Sequence, residues 1–173
     1  LLAQSLLRQG RYDDAIRSLA DWRGPRVWSA YAQYNLGVAL VRAGRLADGA
    51  KMLEAVGRLE RVGPELAALR DQANLALGYA YLQADRPAEA RPALERVRLE
   101  GPLSTKALLG VGWADTTAQD YRAALVPWLE LHGRNMLDAA VQESYLAVPY
   151  AFAKLGANRQ AAEYYESAIR EFG

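Results

Sequence analysis

Gly44-Arg45-Leu46, followed by the small residue Gly49 and then by bulky Leu53, is the stretch that decides the fold. A turn, a small residue shortly after it and a large apolar residue one helical turn later describe a helix that starts at the turn and meets a neighbour closely at the small position. The same order recurs along the chain. Gly10-Arg11-Tyr12 leads to Ala15 and Leu19, and Asp85-Arg86-Pro87 leads to Ala90 and Leu94. Gln119-Asp120-Tyr121 leads to Ala124 and Trp128, and Gly156-Ala157-Asn158 to Ala161 and Tyr165. Five occurrences point to a tandem array of one unit, in which two helices close on the small residue and the large one fills the space beside it.

Before each turn an aliphatic and a small residue stand together, with a third packing residue three positions on. These are Leu2-Ala3 with Leu6, Leu36-Gly37 with Leu40, Leu77-Gly78 with Tyr81, Val111-Gly112 with Asp115, and Val148-Pro149 with Phe152. Each set shares one helical face. The small residues after the turns are spaced by 34, 41, 34 and 37 positions, a base period of 34 with insertions of seven and three. In these features the chain resembles the tetratricopeptide repeat (TPR) family, whose 34-residue helix-turn-helix carries a Leu-Gly pair, an aromatic, Gly-x-Tyr, an alanine and a closing proline. Pro102 stands at the closing place of the third repeat. The resemblance covers essentially the whole chain and implies an all-α, right-handed helical-repeat solenoid of about five units. It implies a single domain over 1–173, with a partial first repeat at 1–26 and then repeats at 27–63, 64–102, 103–135 and 136–173. Residue 1 falls within the first repeat's helix, which suggests a fragment of a longer chain.

The periodicity predicts first helices over 1–9, 27–43, 64–83, 104–118 and 137–155, with partners over 12–23, 46–61, 86–99, 120–132 and 158–171. Gly63-Pro64 is a helix start, and Asp85 ahead of Pro87 reads as an N-cap with proline in the first turn. The seven-residue insertion lies around Arg58 to Leu66 and should lengthen two helices or raise a loop. Pro149 should bend its helix by removing a backbone bond and crowding the Tyr145 carbonyl, and Pro92 and Pro127 should bend theirs. Asp115 takes a slot that is apolar in the other repeats, which calls for a hydrogen-bonded buried carboxylate or, as the alternative, a locally rotated helix.

Composition limits the functional classes. Of 173 residues 51% are hydrophobic, enough for a continuous core, yet no apolar run reaches the length of a membrane span, so a soluble protein without direct membrane insertion is expected. The formal charge of +1, from 21 basic and 20 acidic residues, gives no field that would gather nucleic acid. The chain has no cysteine, which removes disulfides, thiolate nucleophiles and cysteine zinc sites and leaves cytoplasm and periplasm both open. Arginine greatly outnumbers lysine (Lys51, Lys106 and Lys154 only) and alanine is abundant, a bias of GC-rich bacterial genomes.

No constellation of catalytic, cofactor or metal-binding residues emerges, so an enzyme is not expected. His132, the single histidine, lies in a His-Gly-Arg-Asn stretch that reads as an inter-repeat loop and lacks converging partners. Gly110-Val111-Gly112 resembles the start of a nucleotide fingerprint, but no strand precedes it and the third glycine is missing, so helix packing explains it. The informative pattern lies half a turn away from the packing pairs, where an amphipathic helix should be polar. There the chain places Tyr34, Val38 and Val41; Leu75, Tyr79 and Leu82; Leu109 and Trp113; and Leu146, Tyr150 and Ala153. In the resembled fold first helices line the concave side, so these stripes would form an aromatic trough, unless neighbouring helices or another part of the same protein bury them. The family's Lys/Asn/Arg carboxylate clamp is matched only by Asn35 and Lys106. The expectation is therefore a scaffold that binds another protein or peptide through an apolar helix or hydrophobic segment, with Trp113 and Tyr79 as anchors. The rival is an assembly module that self-associates or stacks on the rest of its own chain, suggested by Tyr164, Ile169 and Phe172 at the end of the sequence. RNA binding by a related 35-residue repeat would need a basic inner face, against which the apolar stripes argue.

Overall fold

In the computed structural model, which describes residues 2–20 and 26–173, every repeat turn carries the same backbone signature. Gly10, Gly44, Asp85, Gln119 and Gly156 all have positive φ, between 56° and 79°. At each, the amide of the next residue donates to a carbonyl five positions back: Arg11 to Leu6, Arg45 to Leu40, Arg86 to Tyr81, Asp120 to Asp115 and Ala157 to Phe152, at 2.8–2.9 Å. The amide of the left-handed residue itself donates to the carbonyl three back. This is the Schellman closure, which satisfies the last carbonyls of the first helix and turns the chain sharply into the second.

Among the described residues ten helices form five such pairs and no strand occurs. They are α1 (Leu2–Arg8) with α2 (Tyr12–Ala20), α3 (Arg26–Arg42) with α4 (Leu46–Gly57), α5 (Pro64–Gln83) with α6 (Pro87–Glu95), α7 (Ser104–Thr117) with α8 (Tyr121–His132), and α9 (Ala139–Lys154) with α10 (Asn158–Phe172). The fold is the expected all-α helical repeat. Residues 21–23, expected to complete the second helix, lie outside the described residues. The chain divides into two compact units, Leu1–Ala80 and Tyr81–Gly173.

The small residues do what their spacing implies. In the first unit a Cβ on Gly49 would lie 2.8 Å from the Gly37 carbonyl oxygen, and one on Gly37 would lie 2.8 Å from the Leu53 side chain. In the second, a Cβ on Gly112 would collide with Nε1 of Trp128, whose ring is fully buried and donates to the Leu109 carbonyl at 3.1 Å. Ala15, Ala90, Ala124 and Ala161 are likewise buried, as are Leu53, Leu94 and Trp128. Leu19 is only half-buried, and Tyr165 is 42% exposed on α10, which packs on α9.

Several sequence expectations need correction. Asp85 is not the N-cap of α6; it is the left-handed residue that closes α5, and Arg86 takes the cap position without a side-chain capping bond, with Pro87 in the first turn. Helix α4 stops at Gly57 instead of reaching 61. The buried Asn74 amide donates to the Gly57 carbonyl at 3.0 Å, taking the acceptor that a longer helix would use, and Arg61 turns to φ 50°. The insertion thus divides between a 58–63 connection and a 20-residue α5. Helix α6 ends at Glu95, where Arg96 and Val97 close onto Ala93 and Leu94 with tighter three-residue bonds. The prolines expected to bend their helices, Pro92, Pro127 and Pro149, lie within α6, α8 and α9.

Candidate functional site

Helices α3, α5, α7 and α9 spread their apolar residues round the helix, whereas α2, α4 and α10 gather theirs on one face and α6 and α8 fall between. A helix buried on one side only should show the second pattern, so the first helices have apolar surface beyond what their own repeat needs.

In the first unit, Tyr34 and Val38 on α3 and Leu75 and Tyr79 on α5 are all half-buried. Burial raises the Tyr34 phenol above its ordinary value, against the field of Arg42. Neighbouring first helices are tied together here, since the Tyr31 hydroxyl donates to Glu65 at 2.7 Å. In the second unit, Leu82, Trp113 and Tyr150 are half-buried and Leu146 is 60% exposed, while Leu109 is buried in the core beneath them. The Trp113 indole meets Trp128 edge-on at 5.0 Å between centroids and donates to Glu143 of α9 at 2.8 Å. Tyr150 packs edge-on against Tyr121, with Lys154 over its ring at 5.5 Å. One edge of the Trp113 ring is therefore core and its polar edge is held at the surface, the arrangement of a preset aromatic contact.

A second apolar concavity was not legible from periodicity. It is a cavity of about 760 Å³ between α6 and α8, floored by Ala107, Leu108 and Val111 of α7, with Val126 73% and Leu99 61% exposed at its rim. It depends on the spacing of two second helices, which a pattern within one helix does not encode.

Asp115 is the hydrogen-bonded buried carboxylate, 5% exposed, accepting from Arg91 Nε at 2.7 Å. Burial still raises its pKa, outweighing the guanidinium that pulls it down. His132 ends α8 and is not in a loop; its ring centroid lies 3.8 Å from that of Tyr145, the planes tilted at 54°, and 5.4 Å from that of Tyr164, edge-on. Desolvation lowers its pKa, opposed by Glu171, and its Nδ1 is buried without a partner, so it serves as a neutral aromatic ring. Among the described residues no three His, Asp or Glu side chains converge as metal ligands, and no helix is long and apolar enough to cross a membrane.

Comparison with known proteins agrees with this geometry. The tetratricopeptide repeat family profile matches residues 1–60 and 75–138. The chain belongs to the tetratricopeptide repeat family. Among solved structures it is similar to MamA from Desulfovibrio magneticus RS-1 (residues 41 to the end), with a TM-score of 0.72, 19% identity, and coverage of 98% of this chain and 90% of that one. It is also similar to MamA AMB-1, with a TM-score of 0.73 at 18% identity over 97% and 86% of the two chains, and to MamA MSR-1, with 0.69 at 20% over 97% and 91%. At such identities the likeness is one of fold. No curated protein sequence matches the chain significantly. The family places the TPR repeats of this chain with protein-interaction and assembly scaffolds.

Proposed function

We propose that the first-helix face of each unit is a binding surface for an apolar helix or hydrophobic segment of another protein. The single observation that carries this is Leu146 of α9 standing 60% exposed beside α7 and its surface-tethered Trp113, on helices whose apolar residues are not confined to one face. An amphipathic helix offers anchors at three- and four-residue spacing, which suits a face of parallel aromatic rows. The repeats at 27–63, 64–102, 103–135 and 136–173, taken with the first as one TPR-like domain, belong to this proposal, as does a scaffolding role without catalysis. The test compares partner capture by Leu146→Asp and Val126→Asp, both exposed and so able to fold. Loss with Leu146→Asp and retention with Val126→Asp supports the reading; the reverse result moves the binding surface to the α6–α8 cavity.

A second reading, self-association, is favoured by the exposure of Ile169 (70%), Phe172 (52%) and Tyr165 on α10, beside a cavity of about 420 Å³ lined by Leu146 and Phe172. It predicts a concentration-dependent mass in light scattering that Ile169→Glu abolishes.

A further inference from the structure

The first unit contains a cavity of about 520 Å³ that combines two aromatic rings with a carboxylate that makes no ion pair among the described residues. Gln4 of α1, Trp28, Tyr31 and Asn35 of α3, and Glu65 of α5 contribute to its walls. Trp28 is 56% exposed and meets Tyr31 at 5.8 Å between centroids with the planes 46° apart, so the two rings form an angled, open wall. The Tyr31 hydroxyl donates to Glu65 Oε1 at 2.7 Å, which holds the carboxylate against that wall and raises the phenol's pKa.

Asp14 pairs with Arg11, Asp48 with Arg45 and Glu89 with Arg86, whereas Glu65 makes no ion pair among the described residues. It lies in the first turn of α5, where the helix end contributes roughly half a positive charge, which offsets only part of a carboxylate's charge. Aromatic faces attract cations through their quadrupole, and a carboxylate at the ring edge adds a directed acceptor. The Asn35 amide nitrogen is committed to the Tyr31 carbonyl at 2.9 Å, leaving its oxygen as a second neutral acceptor.

We propose that this cavity receives the ammonium or guanidinium group of a lysine or arginine side chain on a protein bound along the first-helix face. The occupant is selected by charge: an apolar side chain would leave Glu65 facing it, and an acidic one would be repelled. The inference rests on reading that face as a binding surface. The two fail separately, since the Leu146 test lies in the other unit and uses no charged probe.

The experiment titrates the full chain with Nα-acetyl-lysine methylamide and with its Nε-acetylated, neutral counterpart. The Trp28 indole N–H signal, assigned by its loss in Trp28→Phe, is followed by NMR. The expected result is a saturable shift with the cationic probe only, about three- to fivefold weaker in Glu65→Gln. Tyr31→Phe, which keeps both the ring and the carboxylate, should retain discrimination between the two probes, and it serves as the second variant if Glu65→Gln does not fold. Equal responses to the two probes, unchanged affinity in folded Glu65→Gln, or no response at any concentration would each overturn the proposal.

Discussion

At the scale of single residues, the repeat is held by backbone demands that side chains either meet or strain against. Asp85 and Gln119 occupy the left-handed position that glycine fills in the other three turns, at φ 56° and 63°. A non-glycine residue there is unfavourable by about 1–2 kcal/mol before local compensation, so Gln119→Gly should stabilise the protein by up to about 1 kcal/mol and Gly44→Ala should destabilise it by a similar amount. A methyl group at Gly44 would meet no atom within 4 Å, so steric clash does not enter that comparison. Urea denaturation measures both. Gly112→Ala is a different case, because the methyl would collide with the fully buried Trp128 ring; a loss of about 1–3 kcal/mol is expected from overpacking. Asp115 replaces the apolar residue of the other repeats and ends with one buried oxygen unpaired. Arg91→Ala should therefore cost about 1–3 kcal/mol by removing its partner, while Asp115→Leu should be neutral or stabilising, since Arg91 keeps Glu95 and is 43% exposed. These polar compensations could be anticipated only in outline: the sequence shows that Asp115 is out of place, but its partner Arg91 lies 24 residues away on another helix.

Elements add a dependence on pH whose sign follows from where each group sits. Asp138 caps α9, accepting from the Ala140 amide and the Thr105 hydroxyl, each at 2.8 Å. Burial works to raise its pKa, but the hydrogen bonds from Thr105, Ala140 and Val141 together bring it below 3.8. The ionised form is favoured in the fold, so its contribution is present above the ordinary carboxylate value and is lost as pH falls through the lowered one. Asp138→Ala should cost about 1–2 kcal/mol at neutral pH, with the difference from the parent shrinking in acid. For His132 burial lowers the pKa below 6.5, so the neutral ring is favoured and stability falls as pH drops through the ordinary imidazole value. Melting temperature should decline more steeply on acidification in the parent than in His132→Phe; equal slopes would contradict the neutral-ring assignment. Helix positions were largely legible, α5 at 64–83 and α8 to within a residue, because proline, glycine and apolar period agree there. Helix ends were less so where a distant side chain decides them, as Asn74 does for α4.

For the molecule as a whole, the five-unit repeat could be read from turns and small residues because each constraint is local to some 34 positions. What the apolar stripes face could not be read in that way. The stripe residues range from core (Leu109) through half-buried (Tyr34, Val38, Leu75, Tyr79, Leu82, Trp113 and Tyr150) to exposed (Leu146), a gradation that periodicity within one helix does not encode. The Trp28–Glu65 and α6–α8 cavities likewise arise from residues of different repeats. The proposed partner-binding role of the first-helix face can be read out in the cell. The most direct measurement places a photo-crosslinking phenylalanine analogue at position 38, 146 or 126 and maps adducts by mass spectrometry in the cell that makes the protein. Adducts to the same partner protein from 38 and 146 and none from 126 are expected; adducts from 126 alone would overturn the assignment of the first-helix face.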